Sequence, residues 1–283
     1  MRATLILILC LLVSACAPQA TQTPVSTLPA QVETLPAVVE TSPIVSQEVG
    51  ATQPSVIGTV SPKNVEEAIL ILEPGPGSRV VGKINLSGVA DPTFEQHLLV
   101  KVTLDDGTEI ASVPTIIGVE AGKRGPFSVE IPFSVDTERQ AFIQVSSSSA
   151  RDGGTTHLSS VTVTLSPTGP ERINKVEPHP EQIIILQPAP GAEISGGMVH
   201  VQGYGWASFE QTLVVDILDI DGNVIGSQPV IVNSPEMGEP GPFEVDVAYT
   251  LQTPGPGRVV VRDPSVVIPS DVHLTSVEVN LSP

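Results

Sequence analysis

The sequence predicts an all-β chain, two tandem immunoglobulin-like β-sandwich domains that follow a signal peptide and a disordered stalk. Three observations carry this. A run of side chains occurs twice: Phe94-Glu95-Gln96, Asp106-Gly107 and Gly125-Pro126-Phe127 recur as Phe209-Glu210-Gln211, Asp221-Gly222 and Gly241-Pro242-Phe243, at offsets of 115, 115 and 116 residues. The 28 Pro and 24 Gly, where they fall in the repeats, separate short alternating apolar runs, which is the punctuation of turns between strands rather than of long helices. A length of 283 residues suits two domains of roughly 100 residues each plus extensions.

Taken in order, Arg2 and the apolar run from Leu5 to Leu12 have the form of an export signal, too short to span a bilayer comfortably. Val13-Ser14-Ala15-Cys16 resembles a bacterial lipobox, in which small residues precede a cysteine that is diacylated on sulfur. Residues 1–15 are thus expected to be removed and Cys16 to anchor the chain at a membrane, outside the cytoplasm. Each buried CH₂ of an acyl chain contributes about 0.8 kcal/mol, so two or three chains hold firmly. Residues 16–64 are rich in Pro, Thr, Gln, Ser, Val and Ala without sustained periodicity. Such a segment has no face to bury and is read as a flexible stalk.

The first repeat is expected over 65–167, a linker over 168–182 and the second repeat over 183–283. In the first, Ile69 to Leu72 forms a strand stopped by Pro74-Gly75-Pro76-Gly77, and Lys83 to Gly88 alternates as a strand with one wet face. Leu98, Val100, Val102 and Leu104 share one face of the next strand. Asp106-Gly107 then turns the chain as a hairpin, since both turn positions tolerate positive φ. Phe127, Val129, Ile131 and Phe133 make a further inward face, with Pro132 marking an edge or a bulge. Ala141 to Val145 and Val161 to Leu165 complete about seven strands. The second repeat follows the same scheme, from Ile183 to Leu281. The linker holds Pro170, Pro178 and Pro180, which predicts a restricted angle between the domains.

Charge and cysteine content narrow the function classes. With 31 acidic and 13 basic residues the formal net charge is −18, which repels phosphate backbones and excludes nucleic acid as a partner. Cys10 and Cys16 are the only cysteines, so neither repeat contains a disulfide and each sandwich relies on packing.

The residues also resemble a known family. Pro74, Gly77, Gly88, Phe94, Glu95, Asp106, Gly107, Gly125, Pro126 and Phe127, with Ala150-Arg151-Asp152-Gly153 as a late turn, are similar to the pattern of the Gmad2 domain, an immunoglobulin-like domain of bacterial spore germination proteins. The second repeat matches through Phe243 and has Arg262-Asp263-Pro264-Ser265 near the late turn. The resemblance implies a domain of the cell envelope that binds or positions partners outside the membrane.

Candidate binding residues are Glu95, Glu210, Tyr204 and Trp206. Each glutamate follows a Phe at the mouth of the central strand, as a ligand contact or as an acceptor for loop N–H groups. Tyr204-Gly205-Trp206 stands where the first repeat has Val89-Ala90-Asp91. Its aromatic rings suit stacking on a sugar or peptide, or capping of the core or the interdomain contact. His157 and His273 occupy one position of the two repeats, and one imidazole per domain does not make a zinc site. Leu218 to Asn223 lacks the distal acidic ligand of a calcium loop and reads as a hairpin turn. No nucleophile elbow, phosphate loop or ligand cluster is evident, so neither enzymatic activity nor a metal or other cofactor is expected. The expected function is a membrane-anchored module that binds an envelope protein or glycan. A structural spacer is the alternative, and a metal-dependent hydrolase would require the acidic loops to converge.

Overall fold

The computed structural model describes residues 65–283, so Cys16, the signal and the stalk lie outside the described residues. The first sandwich comprises β1 (Ile69–Glu73), β2 (Arg79–Val81), β3 (Lys83–Ala90), β4 (His97–Leu104), β5 (Glu109–Ile116), β6 (Gly125–Pro132), β7 (Arg139–Ser148) and β8 (Thr155–Ser166). The second comprises β9 (Ile183–Gln187), β10 (Glu193–Ile194), β11 (Met198–Gly205), β12 (Thr212–Leu218), β13 (Val224–Ile231), β14 (Gly241–Ala248), β15 (Gly255–Pro264) and β16 (Asp271–Leu281). The fold is all-β and immunoglobulin-like, in two tandem copies.

Alternation places the core as expected. Ile84 and Leu86 of β3, Leu98, Val100 and Val102 of β4, and Phe127 and Ile131 of β6 are buried in one cluster, with Val129 and Phe133 packed against it. Val199, Val201, Leu213, Val215, Ile217 and Phe243 do the same in the second sandwich. Fully burying a side chain of this kind contributes about 1.5–3 kcal/mol, so each repeat has an apolar interior of its own. Pro132 ends β6, the edge strand of the sheet β1-β3-β6, where a missing N–H leaves no ladder bond unmade. Gly88 lies opposite Phe127 across β3 and β6, and a Cβ there would overlap the Phe127 ring and the Leu70 carbonyl oxygen. Gly203 and Phe243 repeat the arrangement.

Two local expectations need correction. At the first hairpin only Gly107 has positive φ, 85°. The Gly107 N–H donates to the Leu104 carbonyl at 2.9 Å, and the register slips between Val102 and Thr103. The turn is therefore a type I turn closed by a left-handed glycine and a bulge, a longer loop than the two-residue form. The strands also run further than local periodicity suggests; the return strand, expected over Thr108 to Val113, is β5 and reaches Ile116, where Ile116 pairs with His97 of β4.

The two sandwiches are not separate in their sheets. β13-β12-β15-β16-β8-β7-β4-β5 form one continuous path, joined in its middle by β16 and β8. Those two strands pair antiparallel through His273↔Ser159, Leu274↔Leu158 and Thr275↔His157. Their C-terminal halves instead take the short parallel strands β10 and β2 of their own sandwiches. The linker lies against the first sandwich. Arg172 and Arg79 exchange backbone hydrogen bonds of 2.9 and 2.8 Å, and the Val176 N–H donates to the Leu72 carbonyl at 2.9 Å.

Candidate functional site

The residues just before β1 and just before β9 run beside each other. The Glu67 N–H donates to the His179 carbonyl, and the Glu181 N–H to the Val65 carbonyl. Glu67 and Glu181 stand 114 residues apart, the offset that also relates Ile71 to Ile185, so they are one position of the repeat. Their side chains cross reciprocally. Glu67 Oε2 accepts from the Gln182 N–H at 3.1 Å, and Glu181 Oε2 accepts from the Ala68 N–H at 2.9 Å. Each carboxylate is thereby oriented by the other segment, and both Oε1 atoms point to the junction of β8 and β16.

At that junction stand His157 and His273, and here the expectation of two unconnected histidines is overturned. The pairing of β8 with β16 places both on one face, with ring centroids 4.8 Å apart in an edge-to-face arrangement. His157 Nε2 is 2.8 Å from Glu67 Oε1 and 3.7 Å from Glu181 Oε1. His273 Nε2 is 3.1 Å and 3.2 Å from the same two oxygens. Ser159 Oγ donates to Glu67 Oε1 at 2.8 Å. Glu67 and His273 are each only 2% exposed.

Burial alone would raise the Glu67 carboxyl, but the hydrogen bonds and charges of His157 and His273 outweigh it and hold it far below the usual carboxylate range. Burial likewise disfavours a charged His273, yet the hydrogen bonds it donates to Glu181 and Glu67 and their negative charge hold it up to about 9. Nearby, Asp263 accepts from the Ser208 N–H and Oγ and from Gln182 Nε2. Glu67, Ser159, His273, Gln182 and Trp206 line a cleft of about 190 Å³.

Trp206, a candidate from the sequence, thus stands at this cleft, exposed by 38%, with its backbone N–H donated to the Gln182 carbonyl at 3.2 Å. Tyr204 does not line it. Its hydroxyl donates to the Pro240 carbonyl at 3.4 Å, and its register partners are Pro242 and Ile184 in the sheet β14-β11-β9.

Glu95 and Glu210 are far from each other in the chain but alike in backbone setting. Glu95 and Gln96 have φ of 52° and 59°, and Glu210 and Gln211 have φ of 49° and 54°. Side chains other than glycine pay for this left-handed backbone. The loop N–H role weighed for Glu95 belongs to its neighbour: Gln96 Oε1 accepts from the Thr93 N–H, while Gln96 Nε2 donates to the Glu120 and Lys123 carbonyls at 3.2 and 3.1 Å. Gln211 holds the second turn through Ser234 Oγ and the Glu236 carbonyl. The Glu95 carboxylate is exposed, 3.5 Å from His97 Nδ1. The Phe beside each turn is exposed too, Phe94 by 57% and Phe209 by 49%. The Ile117 and Val232 N–H groups donate to the Gln96 and Gln211 carbonyls, which brings exposed Ile116 and Ile231 alongside. Asp219 is fully used by its hairpin, accepting from the Asp221 and Asn223 N–H groups and Asn223 Nδ2.

Sequence reasoning missed Glu67 and Glu181. The available signal was their common offset, two residues before the first strand of each repeat.

Among the described residues no helix is long and apolar enough to cross a membrane. No curated protein matches the chain. Among solved structures, a red sea bream transglutaminase is 9% identical over 76% of this chain and 31% of its own, with a TM-score of 0.25. This chain therefore spans about a third of that enzyme's length. A chimeric titin Z1Z2-Z1Z2 tandem is 15% identical over 75% of this chain and 97% of its own, with a TM-score of 0.23. At these scores neither likeness bears on what the chain does. The family model for the immunoglobulin-like domain of bacterial spore germination matches twice, at residues 68–154 and 182–267, and the chain belongs to that family, Gmad2.

Proposed function

We propose that the chain is a non-enzymatic binding module of the bacterial envelope, tethered through Cys16, that engages a protein or glycan with its two Phe-Glu-Gln turns. The observation that carries this is the repeated turn itself. Both copies hold a strained left-handed backbone with a buried or half-buried glutamine, and both spend it on presenting a Phe to solvent. An exposed aromatic beside an exposed Ile and a carboxylate is the composition of a contact surface. In the second repeat Trp206 and Met237 extend the apolar surface.

The test is a pull-down from envelope extract and a glycan array with residues 65–283, beside the double variant Phe94→Ala/Phe209→Ala. Binding by the parent, weakened at least about tenfold in the variant with its thermal midpoint unchanged, supports the reading. Uniformly blank arrays and pull-downs defeat it and leave a rigid spacer, the reading favoured by the sheet that runs unbroken through both sandwiches. The tether is tested separately: Cys16→Ser should move the protein from the membrane to the soluble fraction and abolish acyl labelling.

A further inference from the structure

Each repeat supplies one glutamate and one histidine to the junction, and four ligand-type atoms converge there: Glu67 Oε1, Glu181 Oε1, His157 Nε2 and His273 Nε2. We propose that these four side chains form a closed tetrahedral site for a zinc ion that clasps the two sandwiches together. The four nitrogen-to-oxygen separations are 2.8, 3.7, 3.1 and 3.2 Å. A tetrahedron with metal–ligand bonds of about 2.0–2.1 Å has edges of about 3.3 Å, so the observed edges bracket the required one. All the ligand atoms lie within 4.8 Å of one another. The four ligand atoms would draw together around the ion as it enters, chiefly across the nitrogen–nitrogen and oxygen–oxygen edges, which are bounded only by that 4.8 Å.

The chemistry of the set selects the ion. Two imidazoles and two carboxylates without thiolate suit zinc, and a dication balances both carboxylates in a place where Glu67 and His273 are almost wholly removed from water. Four protein ligands leave no open position, so the ion is structural. The outer shell is built on the carboxylate side, while Nδ1 of His273 is buried without a hydrogen-bond partner. Both Oε2 atoms are held by backbone N–H groups of the opposite segment, and Ser159 Oγ donates to Glu67 Oε1. The 190 Å³ cleft lined by Trp206 reaches Glu67 and His273 from solvent and provides an entry path.

The experiment uses the untagged full chain in detergent, stripped with chelator and then titrated with Zn²⁺ or Co²⁺. Expected are one Zn²⁺ per chain by calorimetry and elemental analysis, and an intense tetrahedral d–d absorption with Co²⁺. Co²⁺ should also quench Trp206, the single tryptophan, with saturation at one equivalent. Glu181→Gln and His273→Gln should each lose the bound equivalent, and Ser159→Ala should weaken it about 10–100-fold. No Zn²⁺ uptake, uptake undiminished in both ligand variants, or a pale octahedral cobalt spectrum would overturn the site. Should the ligand variants not fold, the cobalt spectrum of the unaltered chain decides between the two outcomes.

Discussion

Leu158 and Leu274 lie directly opposite each other where β8 and β16 pair, and they are the same position of the two repeats, 116 residues apart. The flanking pairs, Ser159 with His273 and His157 with Thr275, exchange under the same offset. The junction therefore has a local two-fold axis between the leucines, as in an isologous dimer interface. The symmetry ends further out. Arg258 is buried against Asp152 at 2.5 Å and also contacts Glu278 at 3.2 Å, whereas the residues 116 positions away from that pair are buried Phe142 and Ile268.

Because the sheet crosses the junction, both sandwiches should unfold in one calorimetric transition. Arg258→Ala removes the closer guanidinium from the part-buried Asp152 carboxylate, which keeps Arg151 at 3.3 Å and the Gly154 N–H, at a cost of roughly 1–3 kcal/mol. The expected outcome is a lowered first midpoint and a split into two transitions. A single unshifted transition in the variant would contradict the coupling.

The same pair makes stability depend on acid. Burial would raise the Asp152 carboxyl, but the Gly154 N–H and the guanidinium of Arg258 outweigh it and lower it below its ordinary 3.8. A group depressed in the folded state contributes stability above its unfolded value and loses it as pH falls through the folded one. Denaturant unfolding at a series of pH values below about 5 should show this loss. It should be smaller in Asp152→Asn, which starts less stable at neutral pH and converges with the parent in acid.

Gly203→Ala should destabilise the second sandwich by about 1–3 kcal/mol, because the new methyl meets the Phe243 ring and a strand carbonyl with nowhere to move. Gly255→Ala, where nothing lies within 4 Å, is the control and should change the urea midpoint little.

Gln96→Ala removes the three hydrogen bonds that hold the first turn in its left-handed form. The expected cost is about 1–3 kcal/mol, with faster hydrogen exchange confined to the turn and to the loop at Glu120 to Lys123. Glu95→Ala, whose carboxylate is exposed, should leave both measurements unchanged.

The fold was legible because its determinants are local. Leu98, Val100 and Val102 alternate inward whatever lies across from them, Asp106-Gly107 turns the chain by its own backbone preference, and the repeat offset announces two copies. Even Gly88, Phe94 and Phe127 could be singled out, though that Phe127 covers Gly88 while Phe94 faces solvent follows from the register of β3 with β6 and from the strained turn.

Two sandwiches, their strands and their separate apolar interiors follow from residue order alone, since period-two burial and turn chemistry act over a few residues. That β8 and β16 cover each other's open edges emerges only once the chain is folded. Backbone N–H and C=O groups at a sheet edge are the same in every residue type, so side-chain pattern carries no record of which strand will pair with them. That pairing, made over more than a hundred residues of chain, is what turned two solitary histidines and two unremarked glutamates into one buried cluster.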